Sequence, residues 1–338
     1  MPSTTTSAPS IPAAPAAVHL GGRNQTLLVL LVLVLAGFAF LGSGYQLFQV
    51  TMVMVWAIAL LGLNILTGYN GQISLGHGAF YAIGAYVAAM LMDQAHWPYW
   101  STLPVAALVC AVVGYLFGLP ALKLEGLYLA LATFALGTAT PQLLKYKLFE
   151  KWTGGVQGIV LNKPDAPFGL PLNPDQWLYL FVLLVAVGMF ILGWNVLHGR
   201  IGLALQAVRD HPVAATAMGV DNARVKTGAF ALSAAYTGVA GALGAIAVQF
   251  VAPDSFTMFL SISLLVGIIV GGLASLSGAV WGAIFIHFVP NVAEKISKAA
   301  PWAIYGVLLI LVVFLLPQGV AGGLTRLREA VARWRAAR

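Results

Sequence analysis

Residues 46–66 read QLFQVTMVMVWAIALLGLNIL and contain no charged side chain. A helix needs about 20 apolar residues to cross the hydrocarbon layer of a bilayer, and this run has that length. The whole composition agrees, because 60% of the 338 residues are apolar and only 8% are charged. A soluble domain carries about 25% charged residues, which hydrate its surface. The sequence therefore predicts an integral membrane protein and excludes a soluble enzyme or a secreted domain.

Further apolar runs of this kind recur along the chain, at 27–42, 75–92, 101–119, 126–144, 177–197, 226–250, 259–274, 278–290 and 301–318. Most of them fit the crossing length of ~17–25 residues. We expect an all-α polytopic membrane protein with about ten transmembrane segments, the transmembrane domain covering 27–318. The runs at 259–274 and 278–290 are short, so they form either two tight crossings or one re-entrant hairpin.

The basic residues predict the orientation. If the loop 198–225 is cytoplasmic and each run crosses once, both termini are cytoplasmic, and eleven Lys and Arg residues lie inside against six outside. This direction satisfies the positive-inside rule, and the basic tail 319–338 supplies the excess. Residues 1–26 are rich in Pro, Ala, Ser and Thr, and we expect a disordered tail there. Because the basic residues fall in short connections between apolar runs, we expect the lipid bilayer and no nucleic acid as a partner.

The sequence shows neither the charged intramembrane residues typical of ion-driven carriers nor a nucleotide-binding motif. No Asp, Glu, Lys or Arg lies near the middle of a span, which counts against a carrier driven by protons or sodium. No GxxxxGK[ST] motif is present, so the sequence contains no phosphate-binding loop. Neither HExxH nor GxSxG occurs, which counts against a membrane-embedded enzyme. If transport is active, another protein must bind the nucleotide.

A glycine-rich turn, TGYNGQISLGHG, occupies 67–78 between two apolar runs. Glycine at this density, with an Asn-Gly pair, indicates backbone freedom instead of regular helix. A metal site is not expected, because His77 has no second His, Cys or carboxylate nearby in the sequence. We interpret the turn as a tight break between two membrane helices, which either is purely structural or bends toward a translocation path.

Polar residues inside the spans are candidates for such a path, but each could instead bond to a neighbouring helix. The candidates are Asn64, Gly71, Gln72, Ser74, His77, Thr133 and Tyr236. Small residues recur at every third position in Gly238, Gly241 and Gly244, and this repeat favours close helix packing.

The loop 198–225 contains residues that typically begin and end helices. Apolar residues at helical spacing predict one short helix between Arg200 and Arg209. Pro212 is well placed to begin a second helix, and Gly219 supplies a left-handed stop. Its apolar residues would be exposed, which suggests a partner groove. Packing against the protein's own helices, or in the lipid headgroups, are the alternatives.

Five blocks of the sequence then resemble, in order, the branched-chain amino acid ABC transporter permeases, specifically the LivM-type subunit. They are TGYNGQISLGHGAFYAIGAY (67–86), EGLYLALATFALG (125–137), WTGGVQGI (152–159), the stretch 199–245, and GGLASLSGAVWGA (271–283). The resemblance covers about 60–320 of the chain.

The resemblance implies a subunit of an ATP-driven importer of branched-chain amino acids in the bacterial inner membrane. Its companions would be a sister permease, two ABC ATPase subunits that bind ATP and Mg²⁺, and an extracytoplasmic solute-binding protein. This chain itself would bind no cofactor and catalyse no reaction.

The resemblance also implies roles for two loops. The loop 198–225 would be the coupling loop that docks on an ATPase, with the contact residues Arg200, Arg209, Pro212, Ala214, Ala215, Met218 and Gly219. The external loop 145–176 would face the binding protein through Trp152, Thr153, Gly154 and Gly155.

Two features leave alternatives open. The family commonly has Glu or Asn-Glu before the Ala-Ala pair, whereas this chain has His211, Pro212 and Val213. Urea and short-chain amide permeases share the same blocks, so a urea or amide importer is the first alternative. A secondary carrier or channel for a small polar solute is the more distant one.

Overall fold

The computed structural model describes residues 22–124, 126–169, 171–296 and 301–336, and helices dominate this part of the chain. The elements are α1 (Gly22–Leu41), α2 (Gly44–Asn64), α3 (His77–Asp93), α4 (Tyr99–Ala121), α5 (Leu127–Leu144), α6 (Glu150–Thr153), β1 (Ile159–Val160), α7 (Pro174–His198), α8 (Arg200–Asp210), α9 (Pro212–Ala217), α10 (Asn222–Val248), β2 (Phe250–Val251), α11 (Met258–Gly271), α12 (Leu276–Ile296), α13 (Pro301–Leu315) and α14 (Gly319–Ala336).

The prediction of a helical polytopic membrane protein is confirmed in its main architecture, while the short antiparallel pair of β1 and β2 departs from the predicted all-α class. Each of the ten predicted apolar runs coincides with a helix. By length and composition, seven helical segments of the described residues can cross a membrane, namely Gly44–Tyr69, Tyr99–Ala121, Leu127–Leu144, Pro174–His198, Asn222–Val248, Pro253–Gly271 and Leu276–Lys295. The number of ten crossings and the side of each terminus stay predictions.

The boundaries differ from the sequence prediction in two places. Helix α1 begins at Gly22, inside the predicted disordered tail, and the rest of that tail (1–21) lies outside the described residues. Helix α12 ends at Ile296, six residues beyond the predicted run 278–290, because the single Pro290 inside it does not end the helix. Sequence periodicity defines helix ends poorly where a proline is tolerated within a membrane helix.

Helix α10 lies at the centre and packs on α2, α3 and α4. Small residues allow these backbones to approach closely. A Cβ atom at Gly84 would lie 2.1 Å from the carbonyl oxygen of Gly238, and one at Gly241 would lie 2.0 Å from that of Tyr81. The packing interpretation of the glycine repeat is therefore confirmed for Gly238 and Gly241.

Helices α11 and α12 pack on each other and on α2. Their connection is held by Asn64 of α2, whose Oδ1 accepts the Ala274 N–H at 2.9 Å and whose Nδ2 donates to the Ser275 carbonyl at 2.7 Å. The side chain of Asn64, fully buried, thus pairs two backbone groups that the tight connection leaves without helical partners.

The outer helices carry the apolar surface. Leu33 of α1, Leu108 of α4 and Leu184 of α7 are each at least 65% exposed in this single chain. An apolar surface of this kind indicates contact with lipid or with another membrane subunit.

The loop 145–176 is folded against the end of the helices. Strand β1 pairs antiparallel with β2, and Ile159 faces Val251 in the register. Ion pairs join Lys145 to Asp254 and Lys163 to Asp175. The loop is therefore attached to the segment that follows α10 and to the start of α7.

Two alanine substitutions on α10 test the packing. Gly241→Ala places a methyl group against the Tyr81 carbonyl, so we expect a loss of about 1–3 kcal/mol in stability and a lower thermal unfolding midpoint. Gly228→Ala is the matched control, because a Cβ atom there would meet nothing within 4 Å, and a Gly-to-Ala change in a helix gains about 0.5–1 kcal/mol. Equal midpoints for the two variants would contradict the proposed packing.

Candidate functional site

The glycine-rich turn breaks the helix as the sequence predicts. Helix α2 continues into a single π-helical turn, Ile65–Tyr69, and Gly71 follows with φ of +75°, a conformation that favours glycine. The chain is then non-helical until α3 begins at His77. We call residues 65–78 the junction.

A chain of hydrogen bonds fixes the junction to α2 and α10. The Ser233 Oγ–H donates to the Gly62 carbonyl at 2.6 Å, so Ser233 Oγ can only accept from His77 Nε2, which lies 2.6 Å away. A neutral imidazole protonated at Nε2 accepts at Nδ1, and the Ser74 hydroxyl lies 2.9 Å from that atom. Each polar atom in this relay therefore has a partner with His77 neutral.

Two further side chains fix the junction to α5 and α11. Thr133 Oγ1 accepts the Leu75 N–H at 2.9 Å, and Ser261 Oγ accepts the Gly78 N–H at 2.9 Å. These backbone donors have no partner within α3, because Leu75 precedes the helix and Gly78 lies in its first turn, whose N–H groups have no intrahelical acceptor. The junction is thus held by four helices through side chains that are all nine-tenths or more buried.

This arrangement does not favour catalysis or metal binding. His77 is 1% exposed and has serine partners on both ring nitrogens, so no substrate can reach the imidazole without opening the core. Within the described residues, no group of three His, Cys, Asp or Glu side chains could hold a metal ion.

The predicted pathway residues have different positions. The junction brings Ser74, His77 and Thr133 together, while Tyr236 donates to the Met189 carbonyl at 3.1 Å and Asn64 holds the α11–α12 connection. Of the seven candidates, Gly71 alone is exposed in this chain. The burial and the hydrogen bonds of Asn64, Ser74, His77, Thr133 and Tyr236 support the structural alternative for these five residues, and a pathway role stays a prediction. The sequence does not reveal the role of Ser261, because no local pattern marks it.

The coupling loop contains the two predicted short helices, α8 and α9. Pro212 is the first residue of α9, and Gly219 ends it with φ of +86°. Leu205 and Val208 bury the inner face of α8, so the alternative of packing against the protein's own helices holds for α8.

Helix α9 presents an apolar outer face. Val213 and Met218 are 84% and 85% exposed, and Ala214 is exposed as well. Ala215, expected as a docking contact, is instead buried at 6% exposure, because it lies on the inner side of this short helix. The exposed apolar face therefore consists of Val213, Ala214 and Met218 without Ala215. Arg200, Pro212 and Gly219 are exposed as well, and a docking role for these residues stays a prediction.

Arg209 connects the coupling loop to the junction. Its Nη1 donates to the Gly68 carbonyl at 2.9 Å, and its Nε donates to Asp210 Oδ1 at 2.8 Å. The hydrogen bond from Arg209 lowers the pKa of the Asp210 carboxyl below its usual value. A Cβ at Gly71 would lie 2.8 Å from Arg209 Cγ, so the glycine admits the arginine. Arg209 is thus bonded to the junction while its side chain stays partly exposed, and its role as an ATPase contact stays a prediction.

The loop 145–176 presents one of its four predicted contact residues. Trp152 is 53% exposed, whereas Thr153 is buried and donates to the Leu144 carbonyl at 2.8 Å. Gly154 and Gly155 have φ of +70° and +57°, and they turn the chain after α6. The two glycines and Thr153 shape the loop, and Trp152 is the side chain available to a partner.

Most of the chain is similar to known transport proteins. The family model described as "Branched-chain amino acid transport system / permease component" matches residues 46–316. The chain belongs to this permease family. The description of the family, together with the helical architecture, makes the chain a multi-pass membrane transport component.

Individual relatives of this permease are themselves named as permease proteins of transport or import systems. The high-affinity branched-chain amino acid transport system permease protein LivM of Escherichia coli K12 is 31% identical, over 88% of this chain and 75% of LivM. LivH from the same strain is 24% identical, over 81% of this chain and 93% of LivH. The E. coli autoinducer 2 import system permease protein LsrC is 26% identical, over 92% and 89%. No solved structure matches the permease.

Substitution of Ser233 tests the relay in this permease. Ser233→Ala removes the acceptor of His77 Nε2–H and the donor to the Gly62 carbonyl, and an unpaired buried group costs about 1–3 kcal/mol. We expect a clear fall in the thermal unfolding midpoint. Ser263→Ala, at a half-buried serine on α11, is the control, and a change within about 0.5 kcal/mol is expected there. A Ser233→Ala protein as stable as the control would contradict the relay.

Proposed function

We propose that this permease is a transmembrane subunit of an ATP-binding cassette importer that moves branched-chain amino acids inward across the bacterial inner membrane. The family match over 46–316 and the 31% identity to LivM support the substrate class. The observation that carries the mechanism is the exposed apolar face of α9, Val213 and Met218, on a loop that is bonded to the junction.

The coupling step follows from these contacts. An apolar helix face without a local partner fits a groove in another subunit, and here that subunit is an ATPase. Closure of the ATPases displaces α9, and α8 carries the displacement to the junction through Arg209 and the Gly68 carbonyl. Since the junction is fixed to α2, α5, α10 and α11, these helices tilt together and open the path formed with a sister permease.

The partners divide the remaining tasks. The ATPases bind ATP and Mg²⁺, because this sequence contains no phosphate-binding loop. The sister permease would resemble LivH, which is named as a permease of the same kind of system. An extracytoplasmic binding protein would contact Trp152 and deliver the solute. Selectivity then comes mainly from that protein.

The sequence leaves two alternatives to this proposal, one in the solute and one in the mechanism. Urea and short-chain amides are the alternative that the sequence blocks leave open, and the similarity to LsrC shows that relatives named for a different solute share most of the chain. A carrier or channel that works without ATPases is the remaining alternative.

Uptake by the reconstituted transporter tests the proposed function. Proteoliposomes with both permeases, the ATPases and the binding protein should accumulate L-leucine only when ATP is present on the ATPase side. Urea and acetamide should not accumulate. Accumulation of urea in place of leucine would contradict the substrate class, and leucine flux through this chain alone would contradict the dependence on ATPases.

Aspartate substitutions on α9 test the docking surface. Ala214→Asp and Met218→Asp place a charge in an apolar contact, and desolvating it without a partner costs several kcal/mol. We expect both variants to insert normally but to lose copurification with the ATPases and transport-linked ATP hydrolysis by about tenfold or more. Val156→Asp is the control, since Val156 is 66% exposed on the loop 145–176, and it should retain the ATPases. Unchanged ATPase copurification for Met218→Asp would place the contact elsewhere.

A further inference from the structure

Helix α14 combines an apolar stripe with a high density of arginine. Its sequence, GVAGGLTRLREAVARWRA, contains four arginines and one glutamate. Apolar residues recur at alternating spacings of four and three residues, which places them on one face of a helix; they are Val320, Leu324, Leu327, Val331 and Trp334. At 3.6 residues per turn, positions Arg328 and Arg335 fall on one side of this stripe. Positions Arg326 and Arg333 fall on the other side, so α14 is a basic amphipathic helix.

Helix α14 begins where an apolar surface ends. The preceding helix, α13, presents exposed apolar side chains up to its last turn, since Ile310 is 70% exposed and Phe314 is 84% exposed. A surface of this kind suits the acyl chains of the bilayer. The arginines keep α14 itself out of the hydrocarbon interior, and α14 is not among the seven segments of the described residues that can cross a membrane. Helix α14 therefore starts at a boundary between hydrocarbon and headgroups.

The start of α14 is fixed to the connection between α11 and α12. Gly319 has φ of +71°, and a Cβ atom there would lie 2.5 Å from Gly272 Cα. The same connection lies against the junction, because a Cβ atom at Gly68 would lie 2.5 Å from the Ala274 nitrogen. The Gly68 carbonyl in turn accepts from Arg209 of the coupling loop. Helix α14 thus leaves the core on the same face of the protein as the coupling loop.

The middle of α14 is open to an outside partner. Leu327, in the apolar stripe, is 62% exposed, and Arg326 is exposed as well. A helix with an apolar stripe, a tryptophan and flanking arginines suits the membrane interface, where the stripe reaches the acyl chains and the guanidinium groups bind phosphate. A second copy of α14 fits less well. The repeat covers only two heptads, fewer than the three or four of a coiled coil, and it would bring arginine rows together.

We propose that α14 lies in the headgroup region of the bilayer on the coupling-loop face, where it binds anionic phospholipids and anchors the α11–α12 connection to the membrane surface. Each arginine near an anionic surface raises the binding constant about fivefold, so the four arginines act together. The proposal does not depend on which solute is transported. Its failure would leave the proposed function intact, and failure of the proposed function would leave it intact.

A depth measurement on the assembled permease–ATPase complex in vesicles tests the position of α14. A spin label at Leu327→Cys reports on the apolar stripe, and a label at Thr325→Cys, also exposed but on the opposite face of the helix, is the matched control. In phosphatidylcholine vesicles with about 30% phosphatidylglycerol, the Leu327→Cys label should be at least about fivefold less accessible to a water-soluble paramagnetic reagent than the Thr325→Cys label. Equal accessibility of the two labels would overturn the proposal.

The same measurement without ATPase subunits distinguishes lipid from a protein partner. We expect the Leu327→Cys label to stay protected when the ATPases are omitted and phosphatidylglycerol is present. Protection that requires the ATPases, and that is the same in pure phosphatidylcholine, would identify a protein contact and overturn the proposal.

Charge removal tests the headgroup contact. Arg328→Gln together with Arg335→Gln should lower the protection of the Leu327→Cys label in phosphatidylglycerol vesicles at least about threefold. Lys147→Gln together with Lys151→Gln, at two exposed lysines of the loop 145–176, removes the same charge elsewhere and should leave the protection unchanged. Raising the salt from about 0.1 to 1 M shortens the screening length from about 10 to 3 Å, so it should also lower the protection of the parent. Protection that is insensitive both to salt and to the arginine substitutions would overturn the proposal.

Discussion

The constraint on which this structure depends is that a membrane protein cannot leave backbone N–H and C=O groups unpaired in its interior. A break in a buried helix therefore has to be compensated by side chains from its neighbours. At the junction, Thr133 accepts the Leu75 N–H before α3, Ser261 accepts the Gly78 N–H in the first turn of α3, and Ser233 donates to the Gly62 carbonyl. The same bonds that satisfy the break also fasten it to α2, α5, α10 and α11, so this irregular segment is firmly connected to the core helices.

The position of this segment gives it a mechanical role in the proposed transport cycle. The Arg209 guanidinium reaches the Gly68 carbonyl from the coupling loop, and Gly71 leaves the space that the arginine needs. The outer face of α9 remains free for another subunit, while the inner face of α8 is buried. This chain lacks a nucleotide-binding motif. In the proposed cycle, an ATPase subunit acts on the outer face of α9, and the hydrogen bond from Arg209 to the Gly68 carbonyl connects the coupling loop to the core helices.

The sequence was informative wherever the controlling interaction is local. Apolar runs of crossing length predicted the helices, and Pro212 and Gly219 predicted the limits of α9, because helix starts and stops depend on neighbouring residues. The sequence did not reveal that Ala215 faces inward, nor that Asn64 bonds to a connection some 210 residues later. Such facts depend on how helices pack in three dimensions, and membrane helices with little amphipathic contrast carry a weak signal of which face is inward.

In the proposed mechanism, the coupling loop and the junction move as one unit when the ATPases close. The most direct measurement uses pairs of spin labels on introduced cysteines in the assembled transporter, where the native Cys110 is buried, so we expect it to stay unlabelled. We expect the distance between Ile73→Cys and Thr216→Cys to stay the same on addition of a non-hydrolysable ATP analogue, while the distance between Thr216→Cys and Val156→Cys changes. A change in the distance between Ile73→Cys and Thr216→Cys would show that the loop moves relative to the junction and would contradict this mechanism.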